Sequence, residues 1–354
     1  MGKGIDVGTM NIICAEKEGD STVFAQERNA FLEIDASDLT KNMLDSTNVL
    51  YIEKGDKFHI LGDDAFKFAN VFKRNVRRPM KYGIISPEEK ESIPMIKLII
   101  EKVLSNPSKH NEVACISSPA NPVDSDINVL YHKKTIEALA KRLGYETHVI
   151  DEGLAVIYSE LAKQSFTGIG VSIGAGLTNV TVAYMATPIV SFSIARGGDW
   201  IDEQVAIATG MTKERITSIK EKSFALDTEF ELGSVEGALS IYYDALITYI
   251  IQNLRSRLAE VTPPDAEFPI AVAGGSARPK GFIDMFEKRL VEAKLSVDVS
   301  NIKKAKEPIY NVARGCLIAA LTKEGDQHES SSSKEEFSTQ SPSSSPPAEE
   351  SYQG

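Results

Sequence analysis

Short apolar runs broken by turn residues are typical of β-strands, and they dominate the start of the chain. IDVGTMNIICAEK (5–17) consists of an apolar strand, a glycine turn and a second apolar strand, and STVFAQE (21–27) predicts a third strand. A polar loop is expected next. After it, NVLYIEK and KFHILGD predict a hairpin across the KGD turn at 54–56.

Helical spacing of apolar residues replaces this pattern further along the chain. IPMIKLIIEKVL (93–104) and TIEALAKRLG (135–144) each predict a helix, and Gly144 is placed to end the second one. EVACISSPA (112–120) predicts a strand, and THVIDEGLAVIYSELAK (147–163) predicts a short strand that runs into a helix.

The same order of elements then begins again. Strands are predicted in GVSIG, NVTVAYM and IVSFSIA, helices in DWIDEQVAIAT, ERITSIKEKSF and ALSIYYDALITYIIQNLRSRLAEV, and a buried strand in FPIAVAGG. Three strands followed by helices and further strands, twice, indicate a duplicated α/β architecture. We expect one domain from 1–149 with a return at about 305–323, a second from 150–304, and a disordered Ser/Pro/Glu-rich tail from 324–354.

Composition narrows the function classes. A net charge of −11 and a pI near 5.1 argue against a general nucleic-acid binder, and no apolar run is long enough to span a bilayer. The basic run KRNVRR (73–78) is interpreted as a solvated loop. The three cysteines lie far apart in apolar runs, which favours buried free thiols in a reducing cytoplasm over disulfides or a zinc site.

Glycine turns provide the first candidate chemistry. GIDVGTMN (4–11) and VSIGAGLTN (171–179) head the two halves, and such turns direct backbone N–H groups to one point that a phosphate can approach. Each turn alone is weak evidence, because glycine hairpins are common. If the two halves face each other, however, the turns could hold a polyphosphate from both sides.

Two further segments add polar groups at strand ends. AVAGGSARPKG (271–281) is a strand that ends in two glycines before a helix, which suits a ribose or a phosphate, although a simple turn is the alternative. The carboxylates of VIDEGLAV (149–156) either complement a helix dipole or orient a water for attack on a terminal phosphate. Neither a GxGxxG dinucleotide motif nor a Walker loop is supported.

These segments, with IARGGDWIDE, ERITSIKEK and EPIYNVARGCLIAA, occur in the order of the actin-fold ATPases. LGDDAFKF and RRPMKYGIIS also resemble the segment before the first long helix of MreB and MamK, which are prokaryotic actin-like filament proteins. The resemblance covers about residues 4–321. It implies a duplicated actin-like (ribonuclease H-like) two-domain α/β fold with a nucleotide cleft between the domains, ATP and Mg²⁺ as cofactors, and slow Mg-dependent ATPase activity.

Carried over residue by residue, the resemblance assigns Asp6 to a hydrated magnesium ion and Glu152 to the attacking water. The first phosphate loop would consist of Gly8, Thr9, Met10 and Asn11, and the second of Gly174, Ala175, Gly176 and Thr178. The rest of the nucleotide would be contacted by Gly197, Asp199, Lys220, Glu221, Gly274, Gly275, Ser276 and Arg278.

The chain departs from the family pattern in three places. Ser172 stands where the second loop normally begins with aspartate, so magnesium binding or hydrolysis is expected to be weaker unless Asp199 compensates. Gly153 replaces a common proline. The stretch from Lys222 to Phe268 is short, which suggests a trimmed subdomain at the tip of the second half. Because that subdomain makes lengthwise filament contacts in the family, the inference to a polymer is weaker than the inference to ATP binding.

The leading interpretation is a cytoplasmic, cytoskeletal filament protein whose main partner is itself and whose tail could bind another protein. The alternatives are a non-polymerising chaperone-like or reactivase ATPase of the same fold, a sugar or acetate kinase, and a purely structural protein without nucleotide. The kinase would need a substrate pocket and insertions that the sequence does not reveal. No nucleic-acid partner and no direct membrane insertion are expected.

Overall fold

The structure, a computed structural model, describes residues 2–231 and 233–338, with side chains as far as residue 325. The first half of the described chain contains, in order, β1 (Lys3–Val7), β2 (Asn11–Glu18), β3 (Ser21–Arg28), β4 (Phe31–Asp35), α1 (Asp38–Ser46), β5 (Tyr51–Lys54), β6 (Lys57–Leu61), α2 (Asp63–Phe72), β7 (Met80–Lys81), β8 (Ile84–Ile85), α3 (Ser92–Val103), β9 (Val113–Ser118), α4 (Leu130–Arg142) and β10 (Glu146–Asp151). The second half contains α5 (Glu152–Glu160), β11 (Gly168–Ile173), β12 (Thr178–Tyr184), β13 (Thr187–Ile194), α6 (Gly198–Thr209), α7 (Lys213–Lys222), α8 (Val235–Leu258), β14 (Ile270–Ala273), α9 (Phe282–Ala293), β15 (Ile302–Lys304) and α10 (Asn311–Ser338).

The first half is built on a five-stranded sheet with the order β10-β9-β1-β2-β3. β1 pairs with β2 in antiparallel and with β9 in parallel orientation. Successive side chains of a strand point to opposite faces, and β9 is buried on both. Ala114 and Ile116 pack in the core under α3 and α4, whereas Val113 and Cys115 pack with α10.

The second half repeats this arrangement in a sheet with the order β13-β12-β11-β14-β15. β11 pairs with β12 in antiparallel and with β14 in parallel orientation, as β1 does with its neighbours. Val171 and Ile173 belong to the core formed with α6, α8 and α9. The duplication predicted from the sequence is therefore confirmed by the identical strand order of the two sheets.

Helices α5 and α10 pack on each other and join the two halves, because α5 also packs on β11 and α10 also packs on β1. Their backbones are in contact at Gly315, where an added Cβ would lie 2.5 Å from the carbonyl carbon of Ala155. Glycine is therefore needed at this crossing for steric reasons. The domain boundaries near residues 150 and 304 stay a prediction.

The prediction of a polar loop before residue 48 is wrong, since this stretch contains β4 and α1. Ser37 is the N-cap of α1, and its hydroxyl accepts a hydrogen bond from the Thr40 N–H at 3.1 Å. The predicted hairpin of β5 and β6 is confirmed, and with β4 it forms a three-stranded sheet in the order β4-β6-β5. We call this small sheet with α1 and α2 the tip of the first half.

Helix α10 continues to Ser338 and so overlaps the start of the tail predicted from residue 324, and that tail stays a prediction. At the start of the overlap the carboxylate of Glu324 is buried and accepts hydrogen bonds from the backbone N–H groups of Gly2 and Val113 at 3.2 and 3.1 Å. Residues 339–354 of the predicted tail lie outside the described residues. Within the part of the chain that the structure describes, no helix is both long and apolar enough to cross a membrane.

Candidate functional site

A cavity of about 310 Å³ lies between the two halves of the molecule. Thr9 and Asn11 from the turn between β1 and β2 line it, together with Gly174 and Gly176 from the turn between β11 and β12. The two glycine turns therefore share one cavity, as the interpretation of the sequence requires.

The two turns have the same backbone geometry. The N–H of Gly8 donates to the carbonyl oxygen of Asn11 at 3.0 Å, and the N–H of Gly174 donates to that of Leu177 at 2.9 Å. A Cβ at either glycine would lie 3.0 or 3.1 Å from the same acceptor oxygen, which is crowded. The duplicated sheets thus present equivalent turns to the cavity, one from each half.

Two of the carboxyl groups that line the cavity, those of Asp6 and Glu152, are partly exposed. The Ser117 hydroxyl donates to Oδ1 of Asp6 at 2.9 Å, and the Ser172 hydroxyl donates to Oε2 of Glu152 at 3.1 Å. Loss of solvent raises the pKa of Asp6 to about 6. The pKa of Glu152 is raised to about 8, mainly because the group is buried away from solvent and secondly because Asp6 is negatively charged. Two largely buried carboxyl groups, one of which is affected by the negative charge of the other, favour a cation or a proton beside them.

This carboxyl pair fits a magnesium ion that keeps most of its water ligands. Among the described residues, no group of three or more His, Cys, Asp or Glu side chains could hold a metal ion. Asp6 would therefore share the ion with water and with phosphate oxygens, the style that Mg²⁺ commonly adopts. Asp199 lines the same cavity, and each of its carboxylate oxygens accepts one hydrogen bond from Arg78 at 2.9 Å, so its compensation for Ser172 stays a prediction.

The second half adds a further wall at the end of β14. Gly274 has a φ of +95°, and a Cβ there would lie 2.6 Å from the carbonyl carbon of Ile173, so glycine is required. The Ser276 hydroxyl donates to the carbonyl oxygen of Gly174 at 2.9 Å and ties this wall to the second turn. Nothing lies within 4 Å of the Cβ position of Gly275, which leaves that side open.

Lys220 reaches the cavity from α7 and is held in a fixed position. Its ammonium group pairs with Oδ1 of Asp202 at 2.8 Å and donates to the carbonyl oxygen of Gly198 at 2.7 Å. Burial raises the pKa of Asp202, and the charge of Lys220 opposes that effect. Since an ammonium has three N–H donors, one remains for a ligand in the cavity.

All but two of the site residues predicted from the sequence line the cavity. Those that line it are Asp6, Gly8, Thr9, Met10, Asn11, Glu152, Gly174, Ala175, Gly176, Asp199, Lys220, Glu221, Gly274, Gly275, Ser276 and Arg278. Thr178 is fully buried behind the second turn, where its hydroxyl donates to the carbonyl oxygen of Arg196 at 2.8 Å. Gly197 directly precedes α6 and packs against the second turn, since a Cβ there would lie 2.6 Å from the carbonyl oxygens of Gly174 and Ala175. Neither residue lines the cavity, and their role in nucleotide binding stays a prediction.

Several residues that line the cavity lie outside the site motifs recognised in the sequence. They include Gln26 and Arg28 from β3, and Phe224 and Tyr243 from the second half. Gly83 lines the cavity from the turn between β7 and β8, and its N–H donates to the Thr9 hydroxyl oxygen at 3.0 Å. The MreB-like segment RRPMKYGIIS indicated this region, but no feature of the sequence placed it in the cavity.

Comparison with known proteins identifies relatives by family and by fold. The family model described as Volactin matches residues 1–320. The structure of the MamK double helical filament is similar with a TM-score of 0.67 and 19% identity, covering 90% of this chain and 98% of that chain. MreB5 of Spiroplasma citri bound to AMPPNP is similar with a TM-score of 0.64 and 16% identity, covering 93% and 99%.

A third similar structure is the ethanolamine utilization protein EutJ from Carboxydothermus hydrogenoformans, with a TM-score of 0.51 and 16% identity, covering 90% of this chain and 89% of that chain. The search of curated proteins finds no match. At these identities the similarity concerns the fold. The predicted duplicated actin-like fold and the resemblance to prokaryotic actin-like filament proteins are confirmed.

Proposed function

The chain belongs to the Volactin family, and from this premise we propose that it is an actin-like ATPase that forms nucleotide-dependent cytoskeletal filaments in the cytoplasm. ATP would bind in the cavity between the two halves with its phosphates between the glycine turns. The observation that carries this proposal is the pair of equivalent turns, one from each sheet, on one cavity that also contains Asp6 and Glu152.

The first turn offers a donor for a phosphate oxygen. The Thr9 hydroxyl oxygen already accepts a hydrogen bond from Gly83, so its own proton is free to be donated. Backbone amides in turns of this kind attract anions, and glycine lets a phosphate approach closely. On the opposite side, Lys220 carries the positive charge that would face the nucleotide.

Glu152 is the residue we assign to the attacking water. Its raised pKa brings the carboxylate into the range in which a group accepts a proton near neutral pH. The hydrogen bond from Ser172 fixes its orientation. A magnesium ion held at Asp6 would neutralise charge on the phosphates. Phosphoryl transfer of this type depends on positioning and charge more than on covalent catalysis, which suits a site with these few groups.

The polymer part of the proposal is supported by the comparisons. The similar MamK structure is described as a double helical filament, and the similar MreB5 structure is bound to AMPPNP, a nucleotide. Identical subunits that stack head to tail through contacts that do not close give open filaments. The second candidate is a non-polymerising chaperone-like or reactivase ATPase of the same fold, and the similar EutJ structure is described as an ethanolamine utilization protein.

Nucleotide binding is tested by thermal unfolding of the full chain with ATP or GTP, each with Mg²⁺ or with a chelator. Ligand that binds the native state raises the unfolding temperature, so ATP with Mg²⁺ should do so. Phosphate release by Glu152→Gln should fall by about 100-fold or more while ATP still stabilises the protein. Absence of stabilisation by either nucleotide contradicts the proposal.

Polymerisation is tested by sedimentation and negative-stain electron microscopy with ATP and Mg²⁺, with nucleotide-free protein as the control. Filaments that appear only with nucleotide support the first candidate. ATP hydrolysis without sedimentable polymer, over a range of protein concentrations, supports the second candidate instead.

A further inference from the structure

The basic run at 73–78 is a largely exposed loop, as predicted, but its arginines pair with carboxylates. Arg74 donates to the carboxylate of Asp35 at 3.2 Å, and Arg77 donates to that of Glu33 at 3.1 Å. Both acceptors lie in β4, so these arginines attach the segment to the tip of the first half. Arg78, the last of the run, makes a different contact.

Arg78 crosses from the first half to the second. Its two terminal nitrogens donate to the two carboxylate oxygens of Asp199, both at 2.9 Å, and the partners are 121 positions apart in the chain. The Arg78 and Asp199 side chains are only 24% and 15% exposed. Bidentate charge-assisted pairs of this kind are among the strong polar contacts in proteins, and partial burial protects them from screening.

Asp199 is attached directly to the second turn. Its backbone N–H donates to the carbonyl oxygen of Ala175 at 2.8 Å, and the neighbouring Gly198 N–H donates to that of Gly174 at 3.0 Å. Holding the Asp199 carboxylate therefore also holds the turn. Since the turn is the expected seat of phosphates, Arg78 acts on the site without contacting the nucleotide.

The segment that begins at Arg78 also contacts the first turn. Five residues later, the Gly83 N–H donates to the Thr9 hydroxyl oxygen at 3.0 Å. A Cβ at Gly176 would lie 2.5 Å from the Gly83 nitrogen and 2.6 Å from that same hydroxyl oxygen. Residues 78–83, which we call the strap, therefore contact both turns at the place where the two halves meet.

We propose that Arg78 is a positioning residue that closes the cavity, acting through Asp199, and that the strap holds the two glycine turns together around the bound phosphates. The inference rests on the proposed binding of ATP between those turns. Separation of the two halves must break the Arg78–Asp199 pair, so the pair slows nucleotide release. Because Arg74 and Arg77 attach the same segment to β4, closure is also transmitted to the tip of the first half.

The first test measures dissociation of a fluorescent ATP analogue with Mg²⁺ from the full chain by stopped flow. Arg78→Asp and Asp199→Arg should each speed release about tenfold, the change that about 1.4 kcal/mol gives. The double variant Arg78→Asp/Asp199→Arg restores the pair with reversed polarity and should recover most of the loss. Arg77→Gln is the matched control, since it removes an arginine contact within the first half only and should leave the release rate unchanged.

The second test needs no nucleotide and measures amide hydrogen exchange at Gly83, Gly198 and Asp199. Each single reversal should increase exchange at these amides, and the double variant should protect them again. If a single variant increased exchange only by destabilising the fold in general, reversing both charges would not restore protection.

The outcomes separate the inference from the proposed function. Release and exchange that stay at the wild-type values in both single variants overturn the role of Arg78. A double variant no better than the single variants also overturns it. If wild-type protein binds no ATP analogue but exchange responds as expected, the proposed function fails while the closing role of Arg78 stands.

Discussion

Gly315→Ala should destabilise the protein by disrupting the contact between α10 and α5. The new methyl carbon would lie 2.5 Å from the carbonyl carbon and 2.8 Å from the Cα of Ala155. Carbon atoms pack at about 3.5–4.0 Å, so the two helix backbones must separate by about 1 Å. This displacement acts on backbone atoms, and rotation of a side chain does not relieve it.

The expected cost follows from two opposing effects. Replacing glycine by alanine within a helix favours folding by about 0.5–1 kcal/mol. Overpacking of a buried interface disfavours it by about 1–3 kcal/mol, and a backbone partner places this site at the upper end. We therefore expect a net loss of about 2 kcal/mol, equivalent to a fall in unfolding temperature of about 3 °C for a chain of 354 residues.

Gly325→Ala, in the same helix, is the matched control. Nothing lies within 4 Å of its Cβ position and the residue is exposed, so only the helix propensity changes. Its unfolding temperature should equal or slightly exceed that of the wild type. Thermal unfolding monitored by circular dichroism at one protein concentration measures both variants. Equal stability of Gly315→Ala and Gly325→Ala would refute the close contact of α10 with α5.

Three other substitutions test the site and its surroundings. Gly176→Ala would place a methyl group 2.6 Å from the Thr9 hydroxyl oxygen, so ATP affinity measured by calorimetry should fall about tenfold, and unchanged affinity would contradict the contact between the turns. Ser172→Asp adds a carboxylate beside Glu152, so nucleotide binding should require less Mg²⁺ and the rate of phosphate release should change. Identical magnesium dependence and identical phosphate release would show that Ser172 does not limit magnesium binding or hydrolysis. Burial lowers the pKa of His132 to about 4, so its contribution to stability is complete above pH 6.5 and is lost as pH falls towards 4, by up to about 1.4 kcal/mol per pH unit. His132→Leu should flatten that part of the acid denaturation curve measured by urea titration, and an unchanged slope would contradict the assignment.

The sequence determined the features that depend on neighbouring residues. Short apolar runs predicted the strands β1, β2 and β11. The glycine turns between strands were also predictable, because few backbone conformations can join two such strands. The order of motifs was enough to identify the fold. It also predicted that Asp6, Glu152 and the turn glycines of both halves line one cavity, and both halves do use the same strand order.

The tertiary structure decided what depends on distance through space. Nothing in KRNVRR distinguishes Arg78 from Arg74, yet only Arg78 lies opposite a carboxylate of the other half. Thr178 and Gly197 belong to segments that reach the cavity but do not line it themselves, since a strand and a helix start expose only some of their residues to a cavity. Local periodicity fixes how a segment folds, whereas the partner of a side chain is set by the packing of segments far apart in the chain.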